Sequence, residues 1–334
     1  MARYVRGLLA GLVETAPPDC DCDTMAWQVV NFGGSRPVRI LKTVWREMVW
    51  AGLIAPGRLR RTHTDLWHST ALPLIGRPPC RHVVTLHDLA LVRHPERFRR
   101  SQVLHGRQRL RWVRHADHVI AVSQFTADEA MELLDIPARR ITVVPNGLTI
   151  APDEAVPADL PGEFFLFVDS MERAKNLPLL REIWLRAQGT ERALPPLLIV
   201  GTRGMGHPEY DPPPADWRFL GHQTDEVLLA LYRRAHALLF PSSYEGFGLP
   251  VLEAMAAGCP VICSRGSSLP EVAGEAAHFA DLTAGGFGAA IHLLDSDPAL
   301  RDQLRAAGRQ QAGRFSWSKC ATETAAVWRQ VVGG

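Results

Sequence analysis

Short apolar runs alternate with longer amphipathic stretches along this chain, and the alternation predicts strand and helix in turn, twice over. In the first series, residues 82–86, 118–122 and 141–144 read as strands, because apolar and β-branched residues stand side by side as a strand buried on both faces requires. Helices are predicted around 39–51, 98–114 and 126–134. In the second series, 164–168, 196–200, 237–240 and 260–262 read as strands, separated by helices near 177–187, 225–234 and 250–257. Between the two series lies 150–162, rich in proline and acidic residues, the composition of a linker. The pattern therefore predicts an α/β protein of two domains, 1–150 and 151–334. The last segment, 315–332, has helical spacing, and Trp317 and Trp328 on it read as packing residues.

Composition adjusts this picture little. At 334 residues and 46% hydrophobic, the chain has length for two cores. No apolar run approaches the roughly 18 to 20 residues that span a bilayer, and the start lacks the succession of a signal peptide, so the expected location is cytoplasmic. The six cysteines (Cys20, Cys22, Cys80, Cys259, Cys263 and Cys320) are too sparse for a disulfide scaffold and read as reduced thiols. Charge is more informative, because the net +2 is unevenly split: residues 1–150 hold 21 Lys and Arg against 13 Asp and Glu, and the remainder 16 against 22. Much of the excess lies in the 93–114 stretch, at Arg93, Arg97, Arg99, Arg100, Arg107, Arg109, Arg111 and Arg114. Such a helix face can rest on anionic lipid headgroups or meet a phosphorylated lipid acceptor; a merely solvated face is the competing reading. No nucleic-acid motif is present, so nucleic acid is not expected as a partner.

The candidate chemistry concentrates in 240–258. An apolar strand there runs into Glu245-Gly-Phe-Gly-Leu-Pro250 and then into a helix whose first turn suits Pro250, since the missing N–H is not needed at that position. The loop thus lies at a helix N-terminus, where unpaired amides attract phosphate and where Gly246 and Gly248 let the backbone approach closely. Glu253, about one turn into the helix, can accept hydrogen bonds from two vicinal hydroxyls such as those of a ribose, and Glu245 lies in the loop itself. The same spacing also fits an ordinary strand-turn-helix with solvated glutamates.

The motifs Glu245-x7-Glu253, Phe247-Gly-Leu-Pro250, Glu253-Ala-Met-Ala-Ala-Gly258, Pro260-Val-Ile262 and Ser268-Leu-Pro-Glu-Val272 closely resemble the retaining glycosyltransferases of family 4, and the likeness extends more loosely over the chain. The resemblance implies a GT-B fold: two doubly wound Rossmann-like domains facing across a cleft, the first for the acceptor, the second for a nucleotide-sugar donor, with the C-terminal helix returning to the first domain. It implies Gly246, Phe247, Gly248, Leu249 and Glu253 as donor-binding residues and Glu245, Lys175 and His87 as catalytic ones. Lys175 and Asn176 match the family pattern, whereas Asp169 stands at its glycine and Ala174 at its arginine, which leaves Arg173 as a shifted substitute for the donor diphosphate. Gly201–Gly206 and Phe219–His222 correspond to the family's base-holding loops, and Asn146-Gly147 reads as a turn pair. No metal or other cofactor is expected, since no Asp-x-Asp pair ends a strand and no zinc spacing occurs. The implied reaction is transfer, with retention, of a hexose or deoxyhexose from a nucleotide sugar to a saccharide or lipid-linked acceptor in cell-surface polysaccharide synthesis, by a front-face route in which the leaving phosphate helps deprotonate the acceptor hydroxyl. Family members usually open with a strand and glycine-rich loop, while this chain opens at the helix that follows. A start site placed late explains that departure; the alternative is a truncated, non-catalytic relative that binds a sugar nucleotide or a partner enzyme. A sugar-nucleotide epimerase of the same two-domain plan is a further alternative.

Overall fold

A computed structural model describes residues 2–17, 20–24, 54–70, 76–149, 160–190, 193–202 and 212–333. The helix expected at 39–51, most of the linker (150–159) and positions 203–206 of the first base-holding loop lie outside these residues. The chain forms two compact units, one made of Met1–Pro145 with Trp317–Gly334, the other of Asn146–Ser316.

In the first unit, helix α1 (Ala2–Thr15) and α2 (Ala55–Arg61) precede strands β1 (Leu66–Ser69) and β2 (Arg81–Leu86). Then come α3 (Ala90–Arg93), α4 (Arg100–Val113), β3 (His118–Ala121), α5 (Gln124–Leu134) and β4 (Ile141–Val143). The four strands form a parallel sheet in the order β1-β2-β3-β4. Period-2 geometry divides the strands between two faces: Val83 and Ile120 pack with Tyr4, Leu8, Trp317 and Ala321, while Val84, Leu86 and Val119 pack with Leu110, Val113 and Ala130. The C-terminal helix, α12 (Trp317–Gly333), thus belongs to this unit and lies on α1. Glycines make that approach possible, since a Cβ at Gly7 would stand 2.0 Å from the Trp317 ring and one at Gly11 2.2 Å from the Trp317 carbonyl oxygen.

Two details differ from the sequence expectation. The stretch expected as one helix from 98 begins as a 3-10 turn at Pro95–Arg97, extends at Phe98, and turns helical only from Arg100, where the Gln102 side chain accepts from the Arg99 N–H. Strand β1 escaped the pattern altogether, being four residues long and only half-buried except at Ser69. Several arginines of the basic stretch are also committed to structure. Arg93 binds the buried carboxylate of Glu129 at 2.9 Å together with Glu132, Arg97 lies beside Glu96, and Arg114 binds Asp135 at 2.7 Å. The exposed set on α4 is smaller: Arg100, Arg107 and Arg111, with Leu104 60% exposed among them.

A polar network threads the core of this unit. His82, 3% exposed, shares a 2.9 Å hydrogen bond with Ser69, and His68 and Tyr4 meet at the Thr85 hydroxyl, 2.8 and 3.0 Å away. Burial lowers the His82 pKa to about 4 although the Asp117 carboxylate pulls upward. The ring is therefore neutral when folded, whereas the unfolded chain takes up a proton near pH 6.5, so its stabilisation is complete above that pH and is lost as pH falls toward 4. We expect the first unit to lose up to about 1.4 kcal/mol per pH unit over that window from this residue. Melting curves between pH 7.5 and 4.5 check this, and His82→Phe should flatten the dependence.

The second unit opens with β5 (Phe165–Val168) and continues through α6 (Leu177–Ala187), β6 (Leu197–Val200), β7 (Trp217–Gly221), α7 (Asp225–Arg234) and β8 (Leu238–Phe240). It closes with α8 (Leu249–Ala257), β9 (Val261–Cys263), α9 (Leu269–Ala273), β10 (His278–Phe279), α10 (Ala284–Ser296) and α11 (Pro298–Ala312). Its six strands are parallel in the order β10-β9-β8-β5-β6-β7. Strands β5, β6, β8 and β9 are buried at every position, which is why they read as unbroken apolar runs. Phe165, Phe167, Leu197, Ile199 and Ile262 pack on one face with Leu180, Trp184 and Phe287. Phe219–Gly221, expected as part of a loop, belongs to edge strand β7, whose mixed burial hid it from a search for apolar runs. The six cysteines are free thiols. Among the described residues no helix is long and apolar enough to cross a membrane.

Candidate functional site

Winding reverses between β5 and β8, because β6 and β7 lie on one side of that pair and β9 and β10 on the other. In an open parallel sheet, the crevice at such a switch point, beyond the carboxyl ends of the two strands, is where ligands bind. The segments leaving β5 and β8 carry Asp169–Asn176 and Pro241–Gly248.

These segments are tied together. The Ala174 carbonyl accepts from the Ser243 N–H at 2.8 Å and from the Ser242 and Ser243 hydroxyls. The Ser267 hydroxyl receives the Glu245 N–H at 2.8 Å, and the Ser268 hydroxyl donates to the Glu245 carbonyl at 3.0 Å. Lys175 ends a 3-10 turn, Arg173–Lys175, and Asn176 then adopts a left-handed conformation (φ 54°) that breaks the turn before α6. The result holds the Lys175 ammonium 2.6 Å from Glu245 Oε1 and 2.7 Å from Asp169 Oδ2, with the Phe240 ring 5.8 Å beneath it.

All three charged side chains are mostly buried, with 13%, 11% and 20% exposure for Lys175, Glu245 and Asp169. Burial opposes the charge on Lys175, but the Glu245 and Asp169 carboxylates outweigh it and hold its pKa well above the ordinary lysine range. For Glu245, burial and then the like charge of Asp169 raise the pKa, with Lys175 opposing both. The pair is thus a preformed, poorly hydrated charge arrangement of the kind that favours electrostatic work.

Helix α8 begins at Gly248, whose φ of 95° is open to glycine and costly for other residues; a Cβ there would also come within 2.7 Å of Leu269. Pro250 stands in the first turn and Gly258 (φ 75°) ends the helix. Pro250 has no N–H and the Val251 N–H donates to the Gly248 carbonyl at 3.0 Å, so the Gly248 and Leu249 amides are the donors that this end of the helix offers, together with the positive end of its dipole. Glu253 is half-buried one turn on, its Oε2 taking the Tyr232 hydroxyl at 3.4 Å. Phe247 is buried with its ring edge-on to Phe315, 5.9 Å between centroids, so that residue packs the loop. Arg173 is exposed and makes no ion pair among the described residues.

The expected residues of the second unit, Lys175, Glu245, Gly246, Phe247, Gly248, Leu249 and Glu253, therefore lie on the segments leaving β5 and β8 and on α8. His87 belongs to the first unit, just past the end of β2. Its Nε2 is 2.8 Å from the Thr70 carbonyl oxygen, which can only accept, so Nε2 carries the proton and Nδ1 offers a lone pair when the ring is neutral. Burial lowers its pKa and favours that neutral form. What the sequence did not reveal is the part played by Asp169, legible there only as a departure from glycine, and by the serines Ser242, Ser267 and Ser268. No cluster of three or more metal-ligating side chains occurs among the described residues.

Comparison with known proteins gives matches over both halves. The family described as Glycosyltransferase Family 4 matches residues 15–151, and the one described as Glycosyl transferases group 1 matches 153–311. The O-antigen chain mannosyltransferase B of Escherichia coli is 33% identical over 270 residues, covering 73% of this chain and 69% of that protein. The serotype-specific mannosyltransferase WbdA of Escherichia coli is 30% identical over 277 residues, but this chain spans only 32% of its length. Among solved structures, a sucrose-phosphate synthase from Thermosynechococcus elongatus superposes with a TM-score of 0.73 at 21% identity, covering 99% of this chain and 93% of that one. The Anabaena protein HepE in complex with UDP and glucose gives 0.65 at 18% identity, covering 82% of this chain and 81% of that one. At these identities the two structures establish the GT-B fold.

Proposed function

The chain belongs to glycosyltransferase family 4, and from that premise we propose that it moves a hexose from a nucleotide sugar to a saccharide or lipid-linked acceptor with retention of anomeric configuration, in cell-surface polysaccharide synthesis. Mannose leads the candidates for the hexose because the E. coli relatives of 33% and 30% identity are named mannosyltransferases. The observation that carries the donor site is the convergence of Lys175, Glu245 and the α8 N-terminus at the switch point of the second sheet.

The diphosphate takes the helix amides around Gly248 and Leu249 and the Lys175 ammonium, with exposed Arg173 as a second cation in reach of solvent-borne phosphate. Glu253 takes the ribose hydroxyls. Glu245 holds Lys175 in place and faces the transferred sugar. As the sugar–phosphate bond breaks, negative charge grows on the leaving phosphate, where fixed cations and amides stabilise it most; that phosphate accepts the proton of the incoming hydroxyl on the same face. No metal enters this scheme. His87 is a donor contact on the strength of the family resemblance, and because its Nε2–H is spent on Thr70, its free Nδ1 suits a sugar hydroxyl better than a phosphate oxygen. On α4, Arg100, Arg107 and Arg111 around exposed Leu104 form a face for anionic headgroups, which would bring the enzyme to a lipid-linked acceptor.

Incubation with UDP-, GDP-, ADP- and dTDP-hexoses and a mannose-terminated acceptor, followed by mass spectrometry and NMR of the new linkage, tests the proposal. One donor should give a product whose anomeric configuration matches that donor. An inverted product would refute retention, and an epimerised donor formed without acceptor would refute transfer.

A further inference from the structure

We propose that Asp169 is a built-in counter-ion that competes with the donor's diphosphate for Lys175 and so sets how tightly the donor is held; the inference rests on the donor site proposed above. Asp169 is the first residue past β5, at the switch point itself. Its Oδ2 lies 2.7 Å from the Lys175 ammonium, almost as close as the 2.6 Å contact from Glu245. One ammonium therefore serves two carboxylates, so acidic groups outnumber the cation where an anion must dock. Glu245 remains 2.6 Å from Lys175 as its partner when Asp169 is neutral. The second carboxylate adds repulsion against the diphosphate, and in a mostly buried site that repulsion is weakly screened.

The local backbone does not depend on the extra charge. Asp169 Oδ1 accepts from the Ser170 N–H at 2.6 Å, a bond that an asparagine oxygen can also accept. The main chain at 169 is fixed instead by the register of β5 with β6 and by Gly201, whose φ of 142° lets the Asp169 carbonyl come so near that a Cβ would be 1.9 Å from it. Asp169 can therefore lose its charge without losing its place. A diphosphate gains Lys175 only when its oxygens replace the Asp169 carboxylate in the ammonium's coordination.

Titration calorimetry of the full chain tests this with UDP, GDP, ADP and dTDP and with the four parent nucleosides. Wild type, Asp169→Asn and Asp169→Gly are compared at fixed salt, with melting temperatures verifying that each is folded. Both variants should bind the preferred diphosphate about 10-fold or more tightly than wild type, and its nucleoside unchanged. Unaltered or weaker diphosphate binding in both folded variants, beside a wild type that binds, overturns the counter-ion role and leaves the donor site standing. Equal gains for diphosphate and nucleoside overturn it too, because charge competition acts on phosphate alone. If no protein binds any diphosphate, the donor-site reading falls and takes this inference with it.

Discussion

Glu245→Gln is expected to lower kcat at least 100-fold without weakening donor binding, since removing a carboxylate beside Lys175 relieves repulsion against the diphosphate. The substitution keeps the size of the side chain and leaves Lys175 its contact with Asp169, so the ammonium stays charged and near its place. What disappears is the carboxylate that holds Lys175 from the β8 side and that, in the proposed mechanism, faces the sugar as positive charge develops on it. Losing one preorganised electrostatic group in a dry site typically costs about 2.7–4 kcal/mol at the transition state, hence roughly 10²–10³ in rate. Ground-state binding, shared among the α8 amides, Lys175 and Glu253, is largely retained. Single-turnover kinetics beside donor titrations separate the two quantities. A kcat within a few-fold of wild type would leave the Glu245 side chain only the structural duty of holding Lys175, since the Ser267 and Ser268 bonds are to its main chain.

Glu253→Ala should do the reverse, weakening donor binding by roughly 30- to 100-fold with little change in melting temperature. Two hydrogen bonds from vicinal hydroxyls to a charged acceptor are worth about 2–3 kcal/mol together, and their loss leaves those hydroxyls unpaired against the protein. In the free protein Glu253 is only half-buried, and its contact with the Tyr232 hydroxyl is long, at 3.4 Å. Tyr232→Phe is the matching control, since it removes that contact and keeps the carboxylate. Titration with the nucleoside diphosphate and with free pyrophosphate refines the assignment: the diphosphate should lose affinity in Glu253→Ala, and pyrophosphate should not. Equal loss for both would move Glu253 from the ribose to the phosphates.

Where a strand is buried on both faces, its sequence reads as an unbroken apolar run, and β2, β3, β5, β6, β8 and β9 were legible to within a residue or two on that ground. The edge strands β1 and β7 lack that signature, whereas edge strand β4 keeps a β-branched run that reads as a strand. In β1 the run Leu66-Trp-His-Ser69 includes two polar residues that belong to a buried hydrogen-bond network, and in β7 burial is mixed, so both were invisible to a search for apolar runs. The loop-helix segment from Glu245 to Glu253 was legible because glycine at Gly248 and proline at Pro250 each answer a local backbone demand, a positive φ and a helix start. The meeting of Lys175 with Glu245 was not, since residues 70 positions apart come together only when β5 and β8 pair. The basic stretch shows the opposite limit. Arg93 and Arg114 look like surface charge in sequence, and only the fold reveals Glu129, Glu132 and Asp135 opposite them.

The most direct measurement is a crystal structure with the nucleotide sugar selected by the donor screen. Diphosphate oxygens should lie on the amides at Gly248 and Leu249 and on the Lys175 ammonium, with the ribose hydroxyls on the Glu253 carboxylate. A nucleotide bound elsewhere, or bound here with Glu253 and Lys175 both out of hydrogen-bond reach, would contradict the proposed donor site.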